Sequence, residues 1–313
     1  MKRCVLMFWV GLLASPALSA EPFAYITNQL AETVSVIDLE AQNIVDTLTV
    51  TGKPAGVWVT DAGESVYFTA PESGDLVRYV PESHKLDRLA LAAGALGVTA
   101  THQGDLVFVA NWYQNTVTVV DAESFTVKTR IKVGRSPSGM AVSPDDRWLY
   151  VANRLDDSVS KIDLTDFSIR HTTKVGQHPF GLTLDAGGAT LYTANVESDD
   201  VTVLATNGLK RTGRVKVKSL PYAATLAQNG RLLLVTNQDD ASVSVIDTQT
   251  LTEIAVLEVG EKPEGISTHP DDRQVYVANW FDNSVSVIDT ETLTVTDTIA
   301  TGDGSRAFGR FIH

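Results

Sequence analysis

Cysteine is nearly absent from this chain of 313 residues, which contains a single one, Cys4. One cysteine excludes an internal disulfide framework and a cysteine-ligated zinc site. Covalent attachment of a c-type haem is excluded as well, because the chain has no C-x-x-C-H sequence. Charged residues make up only 20% of the chain and hydrophobic residues 43%. This composition indicates a folded protein with a sizeable core and not a disordered one.

The signatures of several enzyme and binding-site classes are also missing. The chain has no H-E-x-x-H metalloprotease motif, no G-x-S-x-G nucleophile elbow, no G-x-x-x-x-G-K phosphate loop and no D-x-D-x-D-G calcium loop. Sequence motifs therefore give no direct indication of a reaction.

The first twenty residues are typical of a secretory signal peptide. Two basic residues precede an apolar run over residues 4–14, Pro16 ends that run, and small residues lead to Ala20. The run is shorter than the ~20 residues that a membrane-spanning helix needs. We expect cleavage after Ala20, with cleavage after Ser19 as the alternative, and a periplasmic or secreted mature protein. Residues 21–313 contain 23 Lys and Arg against 38 Asp and Glu, a net charge of −15.

The rest of the chain repeats with a period of about 42 residues. One phrase, Tyr-Val-Ala-Asn or a close variant, occurs seven times and ends at Asn28, Ala70, Asn111, Asn153, Asn195, Asn237 and Asn279. A second phrase, Val-Ser-Val-Ile-Asp or a close variant, ends at Asp38, Asp121, Asp247 and Asp289. A third, Gly-x-x-Pro-x-Gly, covers residues 134–139, 176–181 and 260–265. Self-similarity at a fixed period is the sequence signature of a repeat architecture.

Each repeat contains four short runs rich in β-branched residues, and no segment has the period of an amphipathic helix. In the last repeat these runs, named strands A to D, cover residues 265–268, 274–278, 284–289 and 293–299. One four-stranded sheet cannot bury both of its faces, whereas seven sheets in a ring bury them against one another. The sequence predicts an all-β fold, a seven-bladed β-propeller with four antiparallel strands per blade, and a single domain over residues 21–313.

The two ends of the mature chain predict how the ring closes. The chain opens at a strand B, residues 23–27, with no strand A before it. It ends with residues 307–313, which have the character of a strand A with nothing after it. We expect the C-terminal strand to close the first blade, because this pairing removes the free sheet edges.

The Tyr-Val-Ala/Thr-Asn phrase, followed by Ser-Val-Ile-Asp-Thr, resembles the repeats of the YVTN-repeat β-propellers. The resemblance extends over essentially the whole mature chain and implies the propeller fold. Members of that wider group resemble surface-layer repeats, periplasmic binding proteins (including a nucleic-acid binder), lactonases, and subunits of quinoprotein and haem oxidoreductases. The resemblance therefore implies no single function.

Residues that recur once per repeat are expected to do the same structural work in each blade. The Asn after strand B and the Asp after strand C suit turns, because their side chains bond to nearby backbone groups. Departures from the repeat are better guides to function. They fall mainly in the D–A and B–C loops, which share one rim in propellers, and we expect a site at that rim.

Two rings of side chains are predicted at this rim. The inner ring, just before strand A, is expected to contain Phe308, Ala55, Leu96, Ser138, Phe180, Tyr222 and Glu264 in blade order. A second ring, two residues earlier, is expected to contain Arg306, Lys53, Gly94, Ser136, His178, Leu220 and Lys262. The cations of the second ring would form a basic arc on adjoining blades, beside the B–C loop aromatics Trp112, Tyr113, Trp280 and Phe281.

Cations beside exposed aromatic rings suit a small anionic ligand, or a periplasmic or cell-surface protein. The predicted binding residues are Lys53, Trp112, Tyr113, His178, Phe180, Tyr222, Lys262, Glu264, Trp280, Arg306 and Phe308. The strongly negative net charge disfavours nucleic acid as the partner, and no membrane span is expected.

We expect a binding or scaffold protein that has no catalytic residues and holds no cofactor or metal. Two other classes stay open: a lactonase-like hydrolase that uses Glu264, His178 and Arg306, and an accessory subunit of a periplasmic quinoprotein or redox system. A divalent metal bound by His269, His313 and the terminal carboxylate is a further alternative, because the two imidazoles occupy equivalent positions on adjoining blades.

Overall fold

The computed structural model describes residues 22–313, so the predicted signal peptide and its cleavage site lie outside the described residues. Twenty-eight strands form seven sheets, and these sheets are the blades of a β-propeller. The strands A of successive blades contact one another around the ring in the order β4, β8, β12, β16, β20, β24 and β28. The predicted fold class is confirmed. Between residues 22 and 313, no helix has the length and apolar character required to span a membrane.

The first three blades contain the first eleven strands. Blade one contains β1 (Phe23–Asn28), β2 (Thr33–Asp38) and β3 (Asn43–Thr49). Blade two contains β4 (Gly56–Val59), β5 (Val66–Ala70), β6 (Asp75–Val80) and β7 (Lys85–Ala90), with a 3-10 helix at Pro81–Ser83. Blade three contains β8 (Ala95–Ala100), β9 (Leu106–Asn111), β10 (Thr116–Asp121) and β11 (Thr126–Lys132).

The four later blades repeat the same order of strands A to D. Blade four contains β12 (Pro137–Val142), β13 (Trp148–Asn153), β14 (Ser158–Asp163) and β15 (Ser168–Lys174), with a 3-10 helix at Arg154–Asp156. Blade five contains β16 (Pro179–Leu184), β17 (Thr190–Asn195), β18 (Asp200–Ala205) and β19 (Lys210–Lys216), with a 3-10 helix at Asn207–Leu209. Blade six contains β20 (Pro221–Ala227), β21 (Leu232–Asn237), β22 (Ser242–Asp247) and β23 (Thr252–Glu258). Blade seven contains β24 (Pro263–Thr268), β25 (Gln274–Asn279), β26 (Ser284–Asp289) and β27 (Thr294–Ala300).

Burial follows the position of a strand within its blade. Strand B is buried on both faces, as β9 shows along its whole length, because neighbouring blades cover it. Strand D forms the outer wall, and most of β3 and β27 is exposed. At the inner end, a glycine lets the strands A of adjoining blades approach closely. A Cβ on Gly139 would lie 2.3 Å from the carbonyl oxygen of Phe180.

The repeated Asn and Asp residues close turns. Asn279 donates to Ser284 and Ser286 of strand C at 3.0 and 2.9 Å, and this arrangement closes the B–C hairpin. The carboxylate of Asp289 accepts the backbone N–H groups of the C–D turn. Both residue types therefore have structural roles in closing turns.

The C-terminal segment closes the first blade, as the sequence predicts. Ser305 and Ile312 form bridges to Asn28 and Ala24 of β1, so the segment takes the place of strand A. Within the segment, β28 (Phe308–Arg310) also forms a parallel ladder with β4 of blade two. The last residues of the chain therefore hold blades one and two together.

The predicted register at the start of this segment is wrong. Ser305 faces Asn28 as the proline of each Gly-x-x-Pro-x-Gly phrase faces its own strand-B Asn, so Arg306 is the equivalent of Glu264. The residue with positive φ in each D–A loop supports this alignment. In blade order it is Gly304, Lys53, Gly94, Ser136, His178, Leu220 and Lys262. Compared with strand A of blade seven, the terminal segment has two additional residues, which lie inside the strand itself: Ser305 and Ile312 face Asn28 and Ala24, whereas Pro263 and Thr268 face Asn279 and Val275. Arg306 therefore belongs to the inner ring, and Phe308 lies deeper in the channel.

Candidate functional site

The D–A and B–C loops share one rim, and a repeated hydrogen bond joins them. In blade three, the N–H of Trp112, directly after the strand-B Asn, donates to Gly94 O of the D–A loop at 2.9 Å. Arg154, Val196, Gln238 and Trp280 make the equivalent bond in the next four blades. Four of these side chains, those of Trp112, Arg154, Val196 and Gln238, line one cavity above the channel.

A hydrogen-bonded network occupies the inner ring where blades six, seven and one meet. Arg306 Nε donates to Glu264 Oε2 at 2.5 Å, and its Nη2 donates to Glu264 Oε1 at 3.3 Å. The same Nη2 donates to the Tyr222 hydroxyl oxygen at 2.9 Å. Gln238 Nε2 donates to Glu264 Oε1 at 2.8 Å. Glu264 is only 2% exposed, and both of its carboxylate oxygens are hydrogen-bonded, as a buried charge requires.

Burial and the ion pair act in opposite directions on these groups. Burial raises the pKa of the Glu264 carboxyl, and Arg306 and Gln238 partly counteract that rise. For Arg306, burial lowers the pKa, but the charges and hydrogen bonds of Glu264 and Tyr222 together outweigh burial, and the pKa is raised. Burial also raises the pKa of the Tyr222 hydroxyl, which stays neutral around pH 7. Arg306 is therefore a permanent cation whose charge is neutralised by the ion pair with Glu264.

Three aromatic rings cross the channel below this network. Phe180 and Tyr222 lie 4.0 Å apart between ring centroids, and Phe308 lies 4.8 Å from Phe180 and 5.6 Å from Tyr222. All three side chains are buried. Phe180 and Tyr222 line a cavity on the rim side, whereas Phe308 lines a cavity at the opposite mouth. This aromatic plug separates the two ends of the channel.

The rim cavity has a volume of about 460 Å³, a size usual for small-molecule sites. Its lining combines apolar side chains with a few polar ones: Pro71, Gly94, Leu96, Trp112, Tyr113, Arg154, Phe180, Val196, Glu197, Leu220, Tyr222, Gln238 and Arg306.

Arg154 is the cation of this cavity that has no acidic partner. Its guanidinium carbon lies 5.5 Å from the centre of the Trp112 ring, and the Trp112 ring lies 6.0 Å from Phe180. Throughout residues 22–313, no carboxylate forms an ion pair with Arg154, which is half-buried. A guanidinium fixed on an aromatic face and open to a cavity can donate two parallel hydrogen bonds to an anionic group.

The eleven residues predicted from the sequence are distributed between the cavity and its surroundings. Five of them line the cavity, namely Trp112, Tyr113, Phe180, Tyr222 and Arg306. Glu264 lies behind Arg306, Trp280 packs on the Arg306 guanidinium at 5.5 Å, and Phe308 belongs to the plug.

The three other predicted residues lie outside the cavity lining. Lys262 pairs with Asp239, and His178 Nδ1 lies 3.5 Å from Glu197 Oε1. Lys53 contacts the Leu30 carbonyl oxygen. Because Arg306 belongs to the inner ring and pairs with Glu264, it does not continue the predicted basic arc with Lys53 and Lys262.

Sequence reasoning missed the residues directly after the strand-B Asn. It selected Trp112 and Trp280 from this position for their aromatic character but not Pro71, Arg154, Val196 or Gln238, which all line the cavity. The signal was present, because all of them occupy one column of the repeat. The column becomes informative only when it is compared across every blade.

The opposite mouth contains a second cavity of about 390 Å³, formed mainly by strands A. At its edge, Asp61 forms ion pairs with Arg310 and with His102, the latter at 2.7 Å. His269 Nδ1 lies 2.6 Å from Asp271. Over residues 22–313, no group of three or more His, Cys, Asp or Glu side chains is placed to bind a metal ion, so the arrangement does not support the alternative with His269 and His313.

A family model described as a lactonase, seven-bladed β-propeller, matches residues 123–220, which is less than half of the chain. The matched segment includes five cavity-lining residues: Arg154, Phe180, Val196, Glu197 and Leu220. A comparison with curated proteins found no match.

Solved structures share the fold over most of the chain. A functionally unknown protein from Desulfotomaculum acetoxidans has a TM-score of 0.80 at 14% identity, over 93% of this chain and 98% of that one. A putative 6-phosphogluconolactonase from Bacteroides fragilis has a TM-score of 0.79 at 16% identity, over 96% and 99%. Hydrazine synthase from Kuenenia stuttgartiensis has a TM-score of 0.76 at 19% identity, over 85% and 92%. At such identities the likeness shows the fold alone.

Proposed function

We propose that this propeller is a non-catalytic binding protein that takes a small anionic ligand in the rim cavity. The observation that carries the proposal is Arg154, a half-buried guanidinium that faces the cavity, rests on Trp112 and has no acidic partner among residues 22–313. A cation in this position is stabilised by an anion from outside the chain. Arg306 cannot take that role, because Glu264 already neutralises it.

The remaining lining defines the body of the ligand. Leu96, Trp112, Phe180, Val196 and Leu220 form an apolar wall, so a flat or aliphatic ring suits the cavity next to the anionic group. Gln238 and the Tyr222 hydroxyl supply neutral polar atoms, and Glu197, which lies beside His178, is the acidic residue of the lining. The ligand class is therefore a cyclic or aromatic monocarboxylate.

The geometry does not favour hydrolysis of a lactone at this site. A hydrolase needs a free base beside the bound carbonyl group. Glu264 accepts hydrogen bonds from Arg306 and Gln238 on both oxygens, and His178 lies beside Glu197 and not beside Glu264. We expect no hydrolysis of 6-phosphogluconolactone above the spontaneous rate. Turnover that is lost in Glu264→Gln would contradict the proposal.

The binding test uses benzoate, phenylacetate and indole-3-acetate as probes, with isothermal titration calorimetry on the purified mature protein. Arg154→Gln is compared with Arg135→Gln, which removes the same charge from an exposed residue of the D–A loop. A hydrogen bond between charged groups contributes about 1.5–3 kcal/mol, so Arg154→Gln should weaken carboxylate binding by about tenfold or more. Arg135→Gln should leave it nearly unchanged.

Neutral analogues make the test specific to charge. Benzamide has the ring of benzoate without its carboxylate, so its affinity should be nearly the same for the wild type and Arg154→Gln. The proposal fails if no carboxylate binds the wild type, or if Arg154→Gln binds the carboxylates as tightly as Arg135→Gln does.

A protein partner at the same rim is the second candidate, and one observation favours it. The B–C loops expose Leu30, Tyr113, Leu155 and Phe281, with Tyr113 72% and Phe281 55% exposed. A pull-down with the wild type and with Tyr113→Ser/Phe281→Ser tests this candidate. A partner that is captured by the wild type and lost with the double variant supports it, and equal capture contradicts it.

We also propose that the chain is exported and is a single propeller domain of the YVTN-repeat type. Export is supported by the basic, apolar and small-residue order of residues 1–20, and the repeat type by seven copies of the Tyr-Val-Ala-Asn phrase. Cell fractionation with N-terminal sequencing of the recovered protein tests export. The expected mature N-terminus is Glu21, and recovery of the full-length chain from the cytoplasm would contradict export.

A further inference from the structure

Positive charge is concentrated on the outer strands of three adjoining blades. The outer strands β11, β15 and β19 contain nine Lys and Arg residues and no acidic residue: Lys128, Arg130, Lys132, Arg170, Lys174, Lys210, Arg211, Arg214 and Lys216. We call these nine residues the basic wall. The outer strands β23, β27 and β3 of the next three blades contain no Lys or Arg and four acids: Glu253, Glu258, Asp297 and Asp46. The basic wall therefore occupies one side of a chain whose net charge is −13.

Most of this positive charge is free. All nine side chains are exposed, and only Arg170 and Arg214 form ion pairs within residues 22–313, with Asp163 and Asp166 and with Asp200. The other seven cations have no acidic partner in that part of the chain. In β11, Arg130 and Lys132 are spaced two residues apart and lie on one face of the strand, and Lys128 lies at an adjoining β-bulge.

Protection of the sheet edge does not by itself explain the basic wall. Charged residues on outer strands discourage edge-to-edge aggregation. The outer strands β3, β23 and β27 have the same exposed edge and contain acidic residues and threonines without a single cation. Edge protection is thus possible with either sign. Cations clustered on adjoining blades repel one another, and that repulsion is relieved when an anionic surface binds.

Two clefts at the rim end of the basic wall indicate the chemistry of the partner. One cleft, of about 380 Å³, is lined by Ser158, Ser160, Thr172 and Lys174 among others, and also contains Asp156. The other, of about 320 Å³, is lined by Ser198, Thr202, Arg211 and Arg214 among others. The Ser158, Ser160 and Thr202 hydroxyls are buried and accept hydrogen bonds from Asn153 and Asn195, so the cations, the exposed Thr172 and the half-buried Ser198 are the groups accessible to a partner. Cations beside a hydroxyl group complement a sugar that has both hydroxyl and carboxylate groups.

We infer that the basic wall binds an acidic polysaccharide. No aromatic side chain lines either cleft, so stacking platforms for nucleic-acid bases are missing there. Among the large hydrophobic residues of β11, β15 and β19, Ile169 is the only exposed one, so these three strands have no cluster of apolar side chains that could insert into a bilayer. A linear chain of charged sugars matches the remaining features, which are unpaired cations on adjoining blades and clefts in which cations lie beside the accessible residues Thr172 and Ser198.

The experiment measures binding of the mature protein to polygalacturonate and to alginate by affinity electrophoresis at low and physiological salt, with dextran as the neutral control. Lys128→Gln/Arg130→Gln/Lys132→Gln removes three unpaired cations of the basic wall. Lys85→Gln/Arg231→Gln/Arg273→Gln removes the same charge from blades two, six and seven. Melting temperatures of both triple variants verify that they are folded.

We expect the wild type to bind both acidic polymers and not dextran, and added salt to weaken this binding. The triple variant of the basic wall should bind on the order of tenfold more weakly, while the matched triple variant should bind like the wild type. Equal loss in the two triple variants overturns the inference, because net charge alone would then explain it. Absence of binding by the wild type overturns it as well. Tighter binding to double-stranded DNA or to phosphatidylglycerol vesicles than to the polysaccharides overturns the assignment to a polysaccharide.

Discussion

Removal of the Arg306 side chain isolates a buried carboxylate. Glu264 is only 2% exposed, and in Arg306→Gln its remaining side-chain donor is Gln238. Loss of one partner of a buried ion pair costs about 3–5 kcal/mol, because the other charge is left uncompensated. We expect the free energy of unfolding at neutral pH to fall by about that amount, and the melting temperature by about 6 °C or more.

The free energy of unfolding of Arg306→Gln should also change with pH in a defined direction. The pKa of Glu264 is already raised by burial, and loss of Arg306 removes the main opposing influence. The folded state then holds the carboxyl proton at pH values where the unfolded chain, with a Glu pKa of ~4.3, has released it. The contribution of Glu264 to the stability of Arg306→Gln is therefore greatest near or below that pH. It declines as pH rises, until the folded carboxyl itself ionises.

Urea unfolding followed by tryptophan fluorescence from about pH 4 to about pH 8 measures this decline. Arg310→Gln is the matched control, because Arg310 lies on the same terminal strand but its ion pair with Asp61 is partly exposed, so its loss should cost less than ~1 kcal/mol. Arg306→Gln/Glu264→Gln should recover stability at neutral pH and lose the additional slope. The reasoning is refuted if Arg306→Gln is no less stable than Arg310→Gln, or if its pH profile parallels that of the double variant.

Three further predictions concern ring closure, turns and the cavity. Deletion of residues 307–313 removes β28 and should lower the melting temperature of the whole ring in one transition; melting like the full-length chain would show that closure is dispensable. The pKa of Asp289 is lowered mainly by the N–H of Thr292, so its contribution to stability is present above the ordinary Asp pKa and lost as pH falls through the folded value. Asp289→Asn should therefore reduce the loss of stability on acidification, measured by thermal melts at neutral and acidic pH, and an unchanged loss contradicts this role. Trp112→Ala should weaken carboxylate binding by ~2 kcal/mol, measured by calorimetry. Trp280→Ala should weaken it less, because Trp280 lies outside the cavity lining, and equal losses in the two variants would contradict this placement.

The fold was predictable from the sequence because every blade repeats the same local pattern. Strand bounds in blade seven agree with the sequence-based ones to within two residues, since β-branched runs and turn residues recur at fixed positions. Closure by the terminal strand was predictable as well, because the chain begins with an unpaired strand B.

The site was predictable only in part, for two physical reasons. Gly309 has the appearance of the strand-A glycine, but Ala307 occupies that place and the two additional residues follow it inside the strand. This shift conceals the ion pair between Arg306 and Glu264, whose partners belong to different blades. Arg154 is an ordinary loop residue in the sequence, and its relation to Trp112 depends on the packing of adjoining blades.

Closure between residues 24 and 312 also sets the order in which the molecule can be completed. Hairpins within blades two to seven join neighbouring segments, so they can form while the polypeptide is still being delivered. Blade one has to wait for the final residues, and its ends meet across nearly the whole length of the chain. A product of premature termination would keep most hairpins but leave the inner edge of β1 uncovered, the kind of surface that proteases and chaperones recognise. Closure of the ring therefore follows the synthesis of residues 305–312.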